Sequence, residues 1–314
     1  MPHNLSRQVH CRGDRKVLLV PRRRRPHGSP RRNRLHSVAI LLIASALLAT
    51  GCARDTSRAD DELVVTGSTT ILPIAEQASE LYRDVDPDVH VLVSGLGSSA
   101  GIEAVSSGTS DVGTSSRDLK EEEQALGLTD TVIAYDGIAV IVNPDNPIDE
   151  LSLDQLRGIF SGEIKNWREV GGEDRDINLV NRDEASGTRE AFNKIVMGDT
   201  RFDRRATVLP GTGQVRDVVA RSKGAVGYIS VGFVEPRFSS LPVKALVVDG
   251  VVPSEETVST GEYPIARDLH FFTMGEPTGL AREYIDFVLS EKIQKGVVID
   301  AGFVPVRAAD SGDA

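Results

Sequence analysis

The chain has 314 residues, 40% of them apolar and 26% charged, with 29 glycines and 15 prolines; the length suits two lobes or one large α/β unit, and the composition excludes global disorder, collagen and a coiled coil. The net charge of −10 conceals an asymmetry: residues 1–51 carry eleven Lys/Arg and a single acid, Asp14, so the rest holds 25 of the 36 basic and 45 of the 46 acidic residues, a charge of −20. Such a body repels phosphate groups at a distance, which excludes nucleic-acid binding by long-range attraction and leaves local dipoles to hold any bound anion.

The first element in chain order is an export signal. Arg22 to Arg25, Arg31, Arg32 and Arg34 precede the twelve-residue apolar run Val38 to Ala49, which is too short to span a bilayer and fits the n-region and h-region of a secretory signal. The run ends in Leu48-Ala49-Thr50-Gly51-Cys52, which resembles a bacterial lipobox with Ala49 where Leu usually stands. That resemblance implies a lipoprotein signal peptide over residues 1–51, a lipid on Cys52 that anchors the protein to the membrane, and a lipid-proximal tether over residues 52–61. Residues 1 to about 30 exceed a normal n-region, which points to a start codon further along. Cys11 and Cys52 are the two cysteines, and past residue 51 the histidines are His90 and His270. An internal disulfide, a catalytic thiol and a Cys or His metal site are therefore not expected.

Strand and helix signals then alternate. Leu63 to Thr66 reads as a strand, followed by a helix with Leu72, Ala75, Ala78 and Tyr82 on one face. Val89 to Val93 is a strand, a helix runs from Ser98 to about Ser107, and Val112 to Thr114 and Val132 to Val142 are strands. Ser152 to Phe160 is a short helix, and the strand Ile177 to Asn181 leads into a helix through Val196. A further helix carries Val215, Val218 and Val219; Ala225 to Ile229, Leu246 to Val248 and Leu269 to Thr273 are strands, and Leu280 to Ser290 is a helix. This βαβ grammar predicts an α/β fold with largely parallel sheets.

Four predicted strand-to-helix junctions are built from Gly, Ser and Thr: residues 67–70, 97–99, 186–188 and 211–213. Helix N-termini expose unpaired N–H groups with partial positive charge, glycine lets the backbone approach a ligand, and hydroxyls add donors, so such mouths bind oxyanions. A single junction of this kind is ordinary N-capping. Four of them, with no acid inside any triplet, favour convergence on one anion. Arg182 lies four residues before Ser186 in the same loop, where it is either a two-oxygen grip on a tetrahedral anion or a surface arginine paired with Asp183 or Glu184. Charge-assisted hydrogen bonds of about 1.5–3 kcal/mol and helix termini of about 0.3–1 kcal/mol together reach the roughly 8 kcal/mol of micromolar binding.

With these junctions stand further markers, in order: Thr66-Gly67-Ser68-Thr69-Thr70, Gly95-Leu96-Gly97-Ser98-Ser99-Ala100-Gly101, Gly113-Thr114-Ser115-Ser116-Arg117-Asp118, Asp136-Gly137-Ile138-Ala139, Arg182 to Thr188, and Gly224-Ala225-Val226-Gly227-Tyr228. The set resembles the substrate-binding proteins of bacterial phosphate-specific ABC importers over nearly all of residues 62–307. The resemblance implies a two-lobed type II periplasmic-binding-protein fold with a hinge of crossover strands, lobe 1 being residues 62–137 plus 266–307, lobe 2 residues 138–265, and residues 308–314 a tail. It implies a phosphate site lined by Ser68, Thr70, the Ile71 N–H, Ser98, Ser99, Arg182, Ser186, Gly187 and Thr188. At Ser116 many members carry an Asp that accepts the proton which phosphate keeps and sulfate lacks, so the departure leaves that acceptor to be found, and Asp136 near the hinge is the expected replacement.

The partners implied are inorganic phosphate and the permease and ATPase subunits of an importer, with the chain itself a monomer, not an enzyme, and without cofactor. A binding protein or sensor for another tetrahedral oxyanion, sulfate or molybdate, is the alternative. Gly97-Ser98-Ser99-Ala100-Gly101 also fits a G-x-S-x-G nucleophile elbow, with Ser99 as nucleophile and His270 as the one downstream base, but His270 lies within a strand pattern and no HGGG-type segment is present. Gly95 to Ala100 fits G-x-G-x-x-A, which leaves the other three mouths unexplained.

Overall fold

Leu63 and Val65 turn one face inward and make β1 (Glu62–Gly67), which pairs in parallel with β2 (His90–Gly95) and β3 (Val112–Ser115). These and the following elements come from a computed structural model that describes residues 62–235 and 240–306. The expected signal peptide of residues 1–51, Cys52, the expected tether and the expected 308–314 tail lie outside the described residues. Between the first strands, α1 (Leu72–Tyr82) lays Ile74, Ala75, Ala78 and Tyr82 on the sheet, and α2 (Ser98–Ser106) lays Ile102 and Val105 on it, the spacing that puts a stripe on one helix face.

The middle of the sheet departs from the parallel expectation. β4 (Leu128–Val142) and β11 (Ala266–Met274) are antiparallel to each other, β11 is antiparallel to β3, and β4 is antiparallel to β8 (Ala225–Ser230). An apolar strand reads the same in both directions, and only the short 3₁₀ segment Glu121–Leu126, not a crossover helix, leads from β3 to β4. Parallel pairing returns where β6 (Asn178–Arg182) joins β8 and β7 (Thr207–Leu209). The path among the described strands is β2-β1-β3-β11-β4-β8-β6-β7, with β9 (Lys244–Ala245) and β12 (Val304–Pro305) also on β4. Of the expected strand Leu246 to Val248, only β10 (Val247–Val248) forms, in a separate pair with β5 (Glu150–Leu151).

β4 is 15 residues long, roughly 50 Å at about 3.3 Å per residue, and it changes partner part-way. Leu128 to Gly137 pair with β11, and Ile138 to Val142 pair with β8. The second stretch is covered on both faces: Ile138, Val140 and Val142 pack with Trp167, Phe192 and Tyr228, whereas Ala139 and Ile141 belong to a cluster with Val180, Val215 and Ile229 that continues to Leu63, Val65 and Phe271. Helices α3 (Leu153–Ser161), α4 (Gly187–Phe192, continuing as a π turn to Met197), α5 (Thr212–Arg221), α6 (Glu255–Ser259), α7 (Gly279–Val288) and α8 (Glu291–Ile293) flank the strands. The carboxyl ends of the parallel strands β1, β2, β6 and β7 lead into α1, α2, α4 and α5, the edge at which open α/β sheets hold ligands.

Candidate anion-binding site

All four Gly/Ser/Thr junctions meet. Gly67 ends β1 at φ +147°, where a Cβ would stand 2.1 Å from the Thr114 carbonyl oxygen, so only glycine lets the first mouth fold against β3. The Ser68 N–H then donates to the Thr114 oxygens at 3.0 Å (carbonyl) and 2.7 Å (Oγ1). Ser68 Oγ donates to Ser116 Oγ at 3.0 Å, and the Ser116 N–H donates to Ser98 Oγ at 3.1 Å. Ile71 is the N-cap of α1, already in helical angles. The second mouth joins the first through the Gly97 N–H, which donates to the Gly67 carbonyl at 2.8 Å.

The third mouth reaches across to both. The Ser99 N–H donates to the Ala185 carbonyl at 3.1 Å, and Thr70 Oγ1 lies 3.2 Å from Thr188 Oγ1. Gly97 has φ +101°, and a Cβ there would be 2.7 Å from the Ala185 oxygen, while a Cβ on Gly187 would be 2.3 Å from Ser98 Oγ and 2.8 Å from Ser116 Oγ. Ser186 caps α4, its Oγ accepting from the Arg189 N–H at 3.2 Å. The fourth mouth arrives through Thr212 Oγ1, 3.1 Å from Thr69 Oγ1. Ser68, Thr70, Ser98, Ser116, Ser186, Gly187 and Thr188 are buried, and Ser99 is half-buried. Donor-rich helix starts packed this closely create a local positive potential inside a protein of negative net charge.

Two buried guanidiniums add to it. Arg182 donates through Nε to the Leu209 carbonyl (3.2 Å), through Nη1 to Thr212 Oγ1 (3.1 Å), and through Nη2 to Thr69 Oγ1 (3.1 Å) and the Pro210 carbonyl (2.6 Å). Among the described residues no carboxylate stands within ion-pair distance of it. Burial pulls its pKa down to about 10, so it keeps its charge at neutral pH. Arg267 on β11 faces Asp136 across the antiparallel register. Its Nε and Nη2 donate to Asp136 Oδ2 at 3.0 and 2.7 Å, its Nη1 donates to the Ser116 carbonyl at 3.1 Å, and its Nη2 also reaches Thr70 Oγ1 at 3.3 Å.

Asp136 therefore stands differently from the expectation of a direct acceptor for the ligand. Besides Arg267, it accepts from the Ser230 hydroxyl at 2.7 Å and from the Val231 N–H, which fills the acceptor positions of a carboxylate. Burial pushes the Asp136 carboxyl up and the Arg267 guanidinium down, each pulled back by the other's charge. Asp136 thus holds the guanidinium that also reaches the Ser116 carbonyl and Thr70 Oγ1.

The PBP superfamily domain model matches residues 53–292. The phosphate-binding protein PstS of Bacillus subtilis is 38% identical over 256 residues, 81% of this chain and 84% of that protein. The chain belongs to the PstS phosphate-binding protein family. The PstS of Borreliella burgdorferi is 28% identical over 277 residues, 85% of this chain and 99% of its own length. A candidate phosphate ABC transporter substrate-binding protein with bound phosphate, from Clostridium perfringens, superposes with a TM-score of 0.74 at 36% identity, covering 78% of this chain and 100% of that chain. An ABC-type phosphate transport receptor from Vibrio cholerae superposes with a TM-score of 0.65 at 31% identity, covering 77% and 99%. The α/β type II periplasmic-binding fold is that of the PstS family.

Around these junctions, sequence reasoning missed Arg267, and it placed Thr69 and Thr212 in their mouths and Arg117 in its marker without giving any of the three a role. Arg267-Asp268 is a charged pair in the stretch Ile265 to Phe272, whose other residues are apolar except His270, and that interruption was the available signal. Arg117, also buried, is gripped by Glu123 at 2.7 and 2.8 Å and donates to Ser99 Oγ at 3.2 Å. The hydrolase pairing is not formed, because His270 sits on β11 with its Nδ1 2.8 Å from Asp130. Among the described residues no helix is long and apolar enough to cross a membrane.

Proposed function

We propose that the chain captures inorganic phosphate outside the cytoplasm and delivers it to the permease of an ABC importer. The observation that carries the reading is the meeting of four donor-rich helix mouths, from separate strand–helix units, within hydrogen-bonding distance of one another and of a buried Arg182 that forms no ion pair among the described residues. The names of its relatives, which specify phosphate, support the choice of anion. Ser68, Thr70, the Ile71 N–H, Ser98, Ser99, Arg182, Ser186, Gly187 and Thr188 contact the ligand, Ser116 closes the hydroxyl ring, and Asp136 sets Arg267.

Capture is a hinged closure of residues 62–137 plus 266–307 on residues 138–265, a division supported by the change of partner along β4 between Gly137 and Ile138. The Ser99–Ala185 and Thr70–Thr188 contacts belong to the closed form. A lipid on Cys52 holds the monomer at the outer face of the membrane, on the side of the permease's entrance. The chain performs no covalent chemistry; ATP hydrolysis belongs to the partner ATPase.

Isothermal titration of the purified protein with phosphate is the test. One ion per chain at a Kd of about 1 μM or tighter is expected from the hydrogen bonds available. No heat at millimolar phosphate overturns the reading.

A further inference from the structure

We propose that a groove between α4 and residues 198–204 docks an acidic protein surface, that of the importer's permease, with Arg189, Arg201 and Arg204 receiving its carboxylates. This rests on the delivery reading above and deepens it.

The groove has a volume of about 450 Å³, and Arg189, Arg201, Arg204, Phe202, Glu184 and Asp199 line it. Among the described residues twelve Lys and Arg side chains pair with a carboxylate, so an unpaired cation is the less common state in this acidic body. None of the three groove arginines is among the twelve, and neither Glu184 nor Asp199 has a cation partner there. Arg201 and Arg204 are exposed, and Arg189 Nε is buried without an acceptor. The Arg189 guanidinium lies 5.3 Å from the centroid of the Phe202 ring, which is itself fixed against Phe192 at 6.3 Å and Phe160 at 6.5 Å. An arginine held on an aromatic ring has little freedom left to lose on binding, and Arg with aromatic side chains is what interface centres are enriched in.

The chemistry of the occupant follows from both signs being free. A small oxyanion in the groove would meet Glu184 and Asp199 as well as the arginines, and their repulsion offsets most of the attraction. A folded surface can set carboxylates against the arginines, where a planar fork grips two oxygens, and its own cations against the two acids. Because the chain past residue 51 carries −20, this attraction acts at contact range and sets the register of docking. The place points to the permease. Glu184 belongs to the loop between Arg182 and Ser186, and α4 begins with Gly187 and Thr188 of the anion site. A partner seated here therefore holds the segment that holds the anion.

The test measures docking of the purified, phosphate-loaded protein to its importer's permease–ATPase complex in lipid nanodiscs. Three proteins are compared: the wild type, the groove variant Arg201→Glu, Arg204→Glu, and a control, Arg83→Glu, Lys292→Glu, with the same change in net charge at exposed positions elsewhere. The groove variant is expected to dock at least about 10-fold more weakly and the control within about 3-fold of wild type, with phosphate affinity the same in all three within about 2-fold. Wild-type docking is expected to weaken at least about 10-fold between about 0.1 M and about 0.5 M salt. A groove variant that docks like wild type, a control that weakens as much, or wild-type docking indifferent to salt overturns the inference. So does a second phosphate per wild-type chain that the groove variant loses, which gives the groove to a small anion. A wild-type dimer in sedimentation that the groove variant loses gives it to a second copy of the chain and overturns the inference too. Failure of the wild type to dock at all overturns delivery along with the inference, while phosphate titration of the same samples shows separately whether capture stands.

Discussion

Replacing Asp136 with Asn perturbs the buried pair on which one side of the site rests. Asp136 is 1% and Arg267 7% exposed, so the guanidinium left behind has little water to turn to. Asn preserves the volume, and its Oδ1 still serves Ser230, but its amide N–H groups now face the Nε and Nη2 donors of Arg267. Removing one partner of a buried pair costs about 3–5 kcal/mol, and at about 2–4 °C per kcal/mol for a chain of this size the expected fall in Tm is roughly 6–20 °C. Scanning calorimetry with and without saturating phosphate reads it. Phosphate is expected to raise the Tm of Asp136→Asn more than that of the wild type, since the anion then compensates Arg267. The double variant Asp136→Asn, Arg267→Met is expected to recover part of the Tm and none of the added phosphate response, because an apolar replacement of a buried pair is close to neutral. A single-variant Tm within about 2 °C of wild type refutes the reasoning. So does a phosphate-to-sulfate ratio that collapses in Asp136→Asn, which gives the acceptor role back to Asp136.

Gly187→Ala places a Cβ 2.3 Å from Ser98 Oγ, so titration is expected to show phosphate affinity lower by about 10- to 100-fold, while the ligand-free Tm stays within about 4 °C because the clash exists only in the closed form. Glu123 is pushed up by burial but held lower overall by the Arg117 hydrogen bond and the Lys120 N–H and charge. A carboxyl with a lowered folded value contributes stability that is present above its unfolded pKa of about 4.3 and lost as pH falls through the folded value. Urea unfolding is therefore expected to show the wild type losing more stability than Glu123→Gln from about pH 5 down to about pH 3. Lys194 and Asp118 pair at 2.8 Å with side chains 74% and 62% exposed; Lys194→Ala is expected to change phosphate affinity by less than about 5-fold, and added salt to erase the difference.

Local chemistry was legible in the sequence, and long-range pairing was not. The four mouths announced themselves because Gly67, Gly97, Ser98, Ser186 and Thr188 are chosen by requirements within a few residues of each: a positive φ, a cap, an exposed N–H. Their convergence followed from counting them. The direction of β4 and β11 was illegible because alternation of apolar residues is blind to strand polarity, and with it went the Arg267–Asp136 pair, whose members lie 131 residues apart. The same gap explains why Asp136 stood as a free acceptor until its partner was in place. Arg182 was found by its position in the loop, but its hold on the Leu209 and Pro210 carbonyls depends on β7 lying alongside β6, which no local pattern encodes.

A crystal structure of the protein grown with phosphate tests the central claim most directly. The expected result is a single tetrahedral anion enclosed by the starts of α1, α2 and α4, within hydrogen-bonding distance of Ser68, Thr70, Ser98, Thr188 and the Arg182 guanidinium. An anion bound elsewhere, with the four mouths joined to one another and holding none, would contradict it.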